Sequence, residues 1–308
     1  MIKPAAPNPV PGNMNFQPGD TPSGMRLLLT MLLNFLITIV EVIGGLLAGS
    51  LSLMSDALHN FSDGLSIIIS YSALRLGQRP GSRDHTFGFK RAEILAAILN
   101  SATLIAISLF LFREAYFRFK DPAEIKGTLM VAVAGIGLTA NILGTWLLHR
   151  DSQHNLNIRS TYLHLLSDVA SSLGVIIGGF AIILWQVYWV DPLLTVLIAL
   201  YVLKESFDIV RQATHILMMG TPANIALEQI QLKIESVIGV TNLHHVHVWM
   251  LSEHDIHFEA HVDINDMLLS ESATIRQKIE NLLADQFDIQ HVTLQMECGE
   301  CESSALIV

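Results

Sequence analysis

Six mostly apolar stretches that reach or approach roughly 20 residues, the last of them short, run through this chain, and segments of that length and polarity are at home in a bilayer rather than in water. They fall at about Arg26–Ala48, Leu51–Leu76, Glu93–Phe112, Gly127–Leu148, Tyr162–Leu184 and Val190–Leu203, the last continuing as a helix into a polar stretch. Only 15% of the 308 residues are charged against 51% hydrophobic, and mean hydropathy is +0.46, so an α-helical membrane protein with six transmembrane helices is the expected class. Basic residues gather at Arg75–Arg91, Arg150–Arg159 and Lys204–Arg211, all on the side of the N-terminus. The opposite loops hold only Arg113, Arg118, Lys120 and Lys126. Positive residues stay inside. Both termini are therefore expected in the cytoplasm and the helices in the cell inner (plasma) membrane.

Charge divides the chain. Met1–Glu205 carries 14 basic and 13 acidic residues, whereas Ser206–Val308 carries 4 basic and 15 acidic, a net of −11. The second part reads as an acidic domain that attracts cations and repels nucleic acid, so nucleic-acid binding is excluded. The expected organisation is a disordered tail rich in Pro, Asn and Gly over 1–24, a six-helix transmembrane domain over 25–209 and a cytoplasmic metal-binding domain over 210–308. Within the last, a helical pattern covers Ala223–Val237, strands lie near Asn242–Met250 and Asp255–Ile264, a helix covers Ser270–Gln286, and a strand lies near His291–Glu297, an αββαβ unit. The middle strand alternates strictly. Ile256, Phe258, Ala260, Val262 and Ile264 occupy one face, and His257, Glu259, His261 and Asp263 the other.

Inside the membrane segments stand four groups that do not belong in hydrocarbon. His59 and Asp63 are four residues apart, as are His164 and Asp168, and that step puts both side chains of a pair on one helix face. SDALHNFSDGLS (Ser55–Ser66) and STYLHLLSDVAS (Ser160–Ser171) share Ser, Leu, His, Ser, Asp and Ser at matching places. The second and fifth helices run antiparallel, so the two segments suggest an inverted repeat with a site between its halves. An Asp at a helix centre costs about 2.5–3.5 kcal/mol on insertion scales, so paired carboxylates and imidazoles there point to an ion path. Two imidazole nitrogens and two carboxylate oxygens make a tetrahedral shell that suits Zn²⁺ and also admits Cd²⁺ or Co²⁺, whereas Mg²⁺ and Ca²⁺ want more oxygens. Buried His–Asp hydrogen bonds that merely hold helices together are the alternative. A zinc hydrolase is disfavoured by the lack of an HExxH sequence and by a ligand set that leaves no open position for water. A channel is separated from a carrier only by transport measurements.

These residues sit in segments that resemble a known family. SLSLMSDALHNFSD, TFGFKRAEILAAILN, STYLHLLSDVASSLGVI and the Asp191–Pro192 dipeptide, with the helix-and-strand tail, are similar to the cation diffusion facilitators over about Met25–Glu297. The resemblance implies a homodimeric, proton-coupled exporter of Zn²⁺ that is not an enzyme, with a ferredoxin-like cytoplasmic domain. It also implies that His59, Asp63, His164 and Asp168 form the transport site, with His59 at a place where His goes with a preference for Zn²⁺ over Cd²⁺. Its cytoplasmic metal ligands map to His244, His261 and His291, with Glu297 as a fourth. Strict alternation turns His244 to the side of Val246 and Val248, unless it lies just before the strand begins, which makes His247 a substitute. Cys298 and Cys301, a CxxC, are either further ligands or reduced thiols.

Other polar groups carry two readings. Asp56 and Asn60 either orient the ligands or pack helices, and Glu41 and Asn141 either line a water path for protons or make a buried polar contact. The loop pair Asp84 and His85 lacks a third imidazole because Phe89 stands there, and the fourth loop offers only His149 and His154. Neither loop is expected to hold metal well.

Overall fold

The computed structural model describes residues 22–149, 156–252, 255–299, 301 and 305–307. The described residues form six long helices: α1 (Pro22–Ala48), α2 (Leu51–Gly77), α3 (Ala92–Lys120), α4 (Gly127–Leu148), α5 (Leu156–Trp185) and α6 (Val190–Leu217). They are followed by α7 (Leu227–Glu235), β1 (Val240–Met250), β2 (Ile256–Ile264), α8 (Leu269–Phe287) and β3 (His291–Glu297). The α4 bounds are those expected from sequence. α1 begins at Pro22, inside the expected tail, and residues 1–21 of that tail lie outside the described residues, as do His154 and His254. α3 and α5 extend past their apolar cores, and α6 runs beyond residue 209 to Leu217. A helix that leaves the bilayer keeps its backbone hydrogen bonds, so polar residues such as Glu114 and Arg118 do not end it.

Among the described residues, α3, α4 and Tyr162–Trp185 of α5 are long and apolar enough to cross a membrane by length and composition alone, and Leu32–Ala48 is a shorter apolar helix. α2 and α6 fall short because α2 carries Asp56, His59, Asn60 and Asp63, and α6 carries Asp191, Lys204 and Glu205. The polar residues of α2 are the ones that bear on function.

The chain divides into two compact units, residues 1–64 with 107–201 and residues 65–106 with 202–308. In the first, α1 packs on α4 and α4 on α5. Leu53, Met130, Ala134 and Val175, all buried, form its largest apolar cluster. Gly49, with φ +70°, ends α1 in the left-handed region that glycine enters without penalty, and the chain turns at once into α2. The start of α2 is held by Asp191 of α6: Ser50 Oγ (2.6 Å), Leu51 N (2.7 Å), Ser52 N (3.1 Å) and Ser52 Oγ (2.6 Å) all donate to its fully buried carboxylate. A carboxylate at that position satisfies the first orphan amides of α2 and suits the positive end of its dipole.

In the second unit, the three strands form one sheet in the order β1-β2-β3, with β1 antiparallel and β3 parallel to β2. The parallel pair is joined through α8, as a parallel connection requires. One sheet face is apolar. Leu243, Val246, Val248, Phe258, Ala260 and Val262 pack against Ile230 and Ile234 of α7 and Ile275, Ile279 and Leu283 of α8. The expected αββαβ unit is present.

β1 departs from strict alternation. His245 has φ +52°, and the register with β2 shifts between His244 and His247. The extra residue forms a β-bulge, which inserts one position and resets the parity. Leu243 and Val246 therefore share the core face although they are three residues apart, and His244 points to the opposite face. The sequence reading that set His244 beside Val246 and Val248 is corrected by this bulge.

Candidate functional site

His59 and Asp63 lie one turn apart on α2, and His164 and Asp168 one turn apart on α5. Asp63 Oδ2 is 3.2 Å from His164 Nε2 and 3.5 Å from His59 Nε2, and the two imidazole rings meet edge to face with centroids 5.8 Å apart. The ligand atoms of His59, Asp63 and His164 all lie within 4.8 Å of one another. Asp168 is buried at 3% side-chain exposure with Oδ2 3.7 Å from His164 Nε2, at the margin of that group. Three donors at such separations can close on a cation of zinc's size with small side-chain movements, and Asp168 stands beside them, 3.7 Å from His164.

The α2 face above this group is polar and buried. Ser171 Oγ of α5 donates to Asp56 Oδ1 at 2.6 Å, and Asn60 Nδ2 donates to Glu41 Oε2 of α1 at 3.0 Å. Sequence reading named these four polar residues except Ser171, but nothing in it paired them. The repeat alignment did mark Ser171 as the equivalent of Ser66.

On the open face of the cytoplasmic sheet a second group forms. His244 Nε2 is 2.8 Å from Glu297 Oε1, His261 Nδ1 is 3.2 Å from Glu297 Oε2, and Cys301 Sγ is 3.3 Å from His261 Nδ1. The ligand atoms of His244, His261, Glu297 and Cys301 lie within 4.8 Å of one another. Glu297 is buried, which raises its pKa, but hydrogen bonds from Cys301 and Gln295 and the nearby His261 and His244 outweigh burial, so its carboxyl is held below the usual range. His245, displaced by the bulge, stacks on His261 with centroids 4.7 Å apart.

Two of the expected cytoplasmic ligands are not brought into this group. His247 is exposed and meets His245 at 5.1 Å. His291 pairs with His257 at the opposite end of the strand, its ring 4.1 Å from that of His257. The parallel register sets His261 against Gln295, so His291 sits four residues away, about 13 Å along a strand. Cys298 is exposed and forms no disulfide with Cys301.

A carboxylate and two imidazoles converging within a helical membrane body are what a carrier of transition-metal cations needs, and this chain is of that class. The profile of the cation efflux transmembrane domain matches residues 27–218, and that of the cation efflux protein cytoplasmic domain matches residues 222–298. The chain belongs to the cation diffusion facilitator family, of the zinc type. It is 39% identical over 288 residues to the "Cadmium, cobalt and zinc/H(+)-K(+) antiporter" of Bacillus velezensis, covering 92% of this chain and 91% of that one. It is 36% identical over 271 residues to the "Zinc transporter ZitB" of Escherichia coli, covering 85% and 84%. With the "Metal cation efflux system protein CzcD" of Cupriavidus metallidurans the identity is 33% over 293 residues, covering 95% and 92%. The two profiles meet between residues 218 and 222, just past the end of α6.

Proposed function

We propose that this chain exports Zn²⁺, and also Cd²⁺ or Co²⁺, from the cytosol across the inner membrane in exchange for protons. Both termini are cytoplasmic in this reading, and two copies act as a homodimer. His59, Asp63, His164 and Asp168 hold the ion in transit. The observation that carries the reading is the convergence of His59, Asp63 and His164 from two helices onto one point in the membrane body. Imidazole must be neutral and carboxylate ionised to ligate, so metal and protons compete for the same lone pairs and exchange for one another. The similar Bacillus velezensis protein is named as an antiporter, which supports exchange and adds K⁺ to the counter-ions worth assaying. His244, His261, Glu297 and Cys301 bind cytoplasmic Zn²⁺ as a regulatory site. At net −11 per copy, paired acidic domains repel, and bound Zn²⁺ lowers that repulsion. Uptake of Zn²⁺ into inverted vesicles, with and without an imposed pH gradient, tests the function. Exchange requires that the gradient accelerate uptake and that uptake dissipate the gradient. Flux indifferent to the gradient would make the chain a passive conductor instead.

A further inference from the structure

Two fully buried carboxylates in the membrane body are treated very differently. Asp191 receives four hydrogen bonds and has the saturated surroundings of a structural carboxylate. Glu41, equally buried, receives one, from Asn60 Nδ2, and its Oε1 makes no hydrogen bond among the described residues. The space beside Oε1 is built rather than accidental. α4 presents Gly137 there, where a methyl group would collide with the oxygen. One turn along the same face stands Asn141, 1% exposed, with neither side-chain atom hydrogen-bonded among the described residues. Asn60 Oδ1 is likewise buried without a partner.

Three helices thus carry unsatisfied buried oxygens: Glu41 and Asn60 are joined by a hydrogen bond, Asn141 stands one turn from the Gly137 that abuts Glu41, and unmet polar groups there are costly. Apolar residues would pack there at lower cost, so a packing role does not account for them. The charged groups that face Glu41 are Asp56 of α2 and Asp168 of α5, both acidic, with His59 beyond Asp56, and α4 contributes only neutral residues. The donors are all oxygen, which suits a proton or a hard alkali ion and distinguishes the place from the imidazole-containing metal group.

We propose that Glu41, Asn60 and Asn141 form a separate site for the monovalent counter-cation that the chain exchanges for metal. The proposal rests on the exchange reading above and adds, beside the ligands that shed protons as metal binds, a second place where a counter-ion rides. Asn60 directly follows His59 in α2, so a shift of that helix on loading metal also moves the amide that holds Glu41.

The full-length protein in vesicles, loaded with a pH-reporting dye in one arm and a K⁺-reporting dye in another, separates the cases. Replacing alkali ions by N-methylglucamine tells a proton from an alkali ion as the passenger. Zinc binding is measured calorimetrically on the same preparations, with the cytoplasmic group disabled by His261→Ala. Glu41→Gln keeps the shape and the amide contact but cannot carry the charge. It is expected to bind zinc as the parent does while zinc-driven counterflow per zinc moved falls by half or more, to the part that the ligands carry. Gly137→Ala and Asn141→Ala, which leave Glu41 in the sequence, are expected to weaken counterflow with zinc binding retained. Full counterflow in Glu41→Gln would overturn the proposal, as would loss of zinc binding in a variant that melts like the parent, since Glu41 would then belong to the metal group. If the parent protein itself moves zinc without any counterflow, the exchange reading falls, and this site with it.

Discussion

Asp63 Oδ2 lies 3.2 Å from His164 Nε2, and this contact is where the α2 half of the membrane group meets the α5 half. Asp63 is also the His59 partner at 3.5 Å, so a single carboxylate touches both imidazoles. Asp63→Ala should therefore abolish zinc flux in vesicles while the melting temperature in detergent changes little, because three remaining ligands cannot complete the shell. Near-normal flux in this variant would remove Asp63 from the site.

The Asp191 clamp is a matter of stability. Asp191→Ala leaves two serine hydroxyls and two amides at the start of α2 without an acceptor, and the expected loss is about 3 kcal/mol. Asp191→Asn should fall between, since an amide offers one accepting atom to four donors. Thermal unfolding in detergent reads this directly, and equal stability of all three proteins would show that water replaces the clamp.

The bulge at His245 is what turns His244 toward Glu297. His245→Gly relieves φ +52° on a residue with a Cβ but also removes the stack on His261, two effects of about 1 kcal/mol each, so stability should change little while zinc binding at the cytoplasmic group stays intact. Deleting His245 restores plain alternation and sets His244 on the wrong face. Calorimetry on full-length protein carrying Asp63→Ala should then show the cytoplasmic zinc site lost in the deletion alone. A deletion variant that still binds would mean the strand re-forms its bulge elsewhere.

His257 supplies a pH dependence. Its pKa is pushed below the ordinary imidazole value, first by burial between Trp249 and Phe87 and then by neighbouring His291. The unfolded chain takes up a proton as pH falls through about 6.5 while the folded one resists, so stability is full above that pH and declines below it, by at most about 1.4 kcal/mol per pH unit for one proton. His257→Phe keeps the ring stack and removes the proton. In chelator, the drop in melting temperature between pH 7.5 and 5.5 should be smaller for this variant than for the parent. An equal drop would assign the acid sensitivity to other groups.

Much of this was legible in order along the chain. The α4 limits follow from an apolar run bounded by loop residues, and the two HxxxD pairs follow from helical periodicity. The alternation of β2 fixes which residues face the core. His244 was named as a candidate ligand, but its facing by strict alternation failed at one residue, because His245 is neither Gly nor Asn and gives no sign of entering the left-handed region. The separation of His291 from His261 depends on the parallel register of β2 and β3, a relation between strands that no single strand encodes. Helix ends beyond the bilayer were likewise hidden, since a helix that has left the hydrocarbon has no compositional reason to stop.

The sequence by itself determined the membrane character, the helix and strand periods and the candidate ligands, because each of these is a repeat of polarity along one segment. Tertiary structure decided which ligands meet, which carboxylate is saturated and which is left open, and which side of the sheet His244 serves. Those outcomes depend on distances between segments far apart in the chain, and a difference of one residue in register or one hydrogen-bond donor, too small to alter any local pattern, is enough to change them.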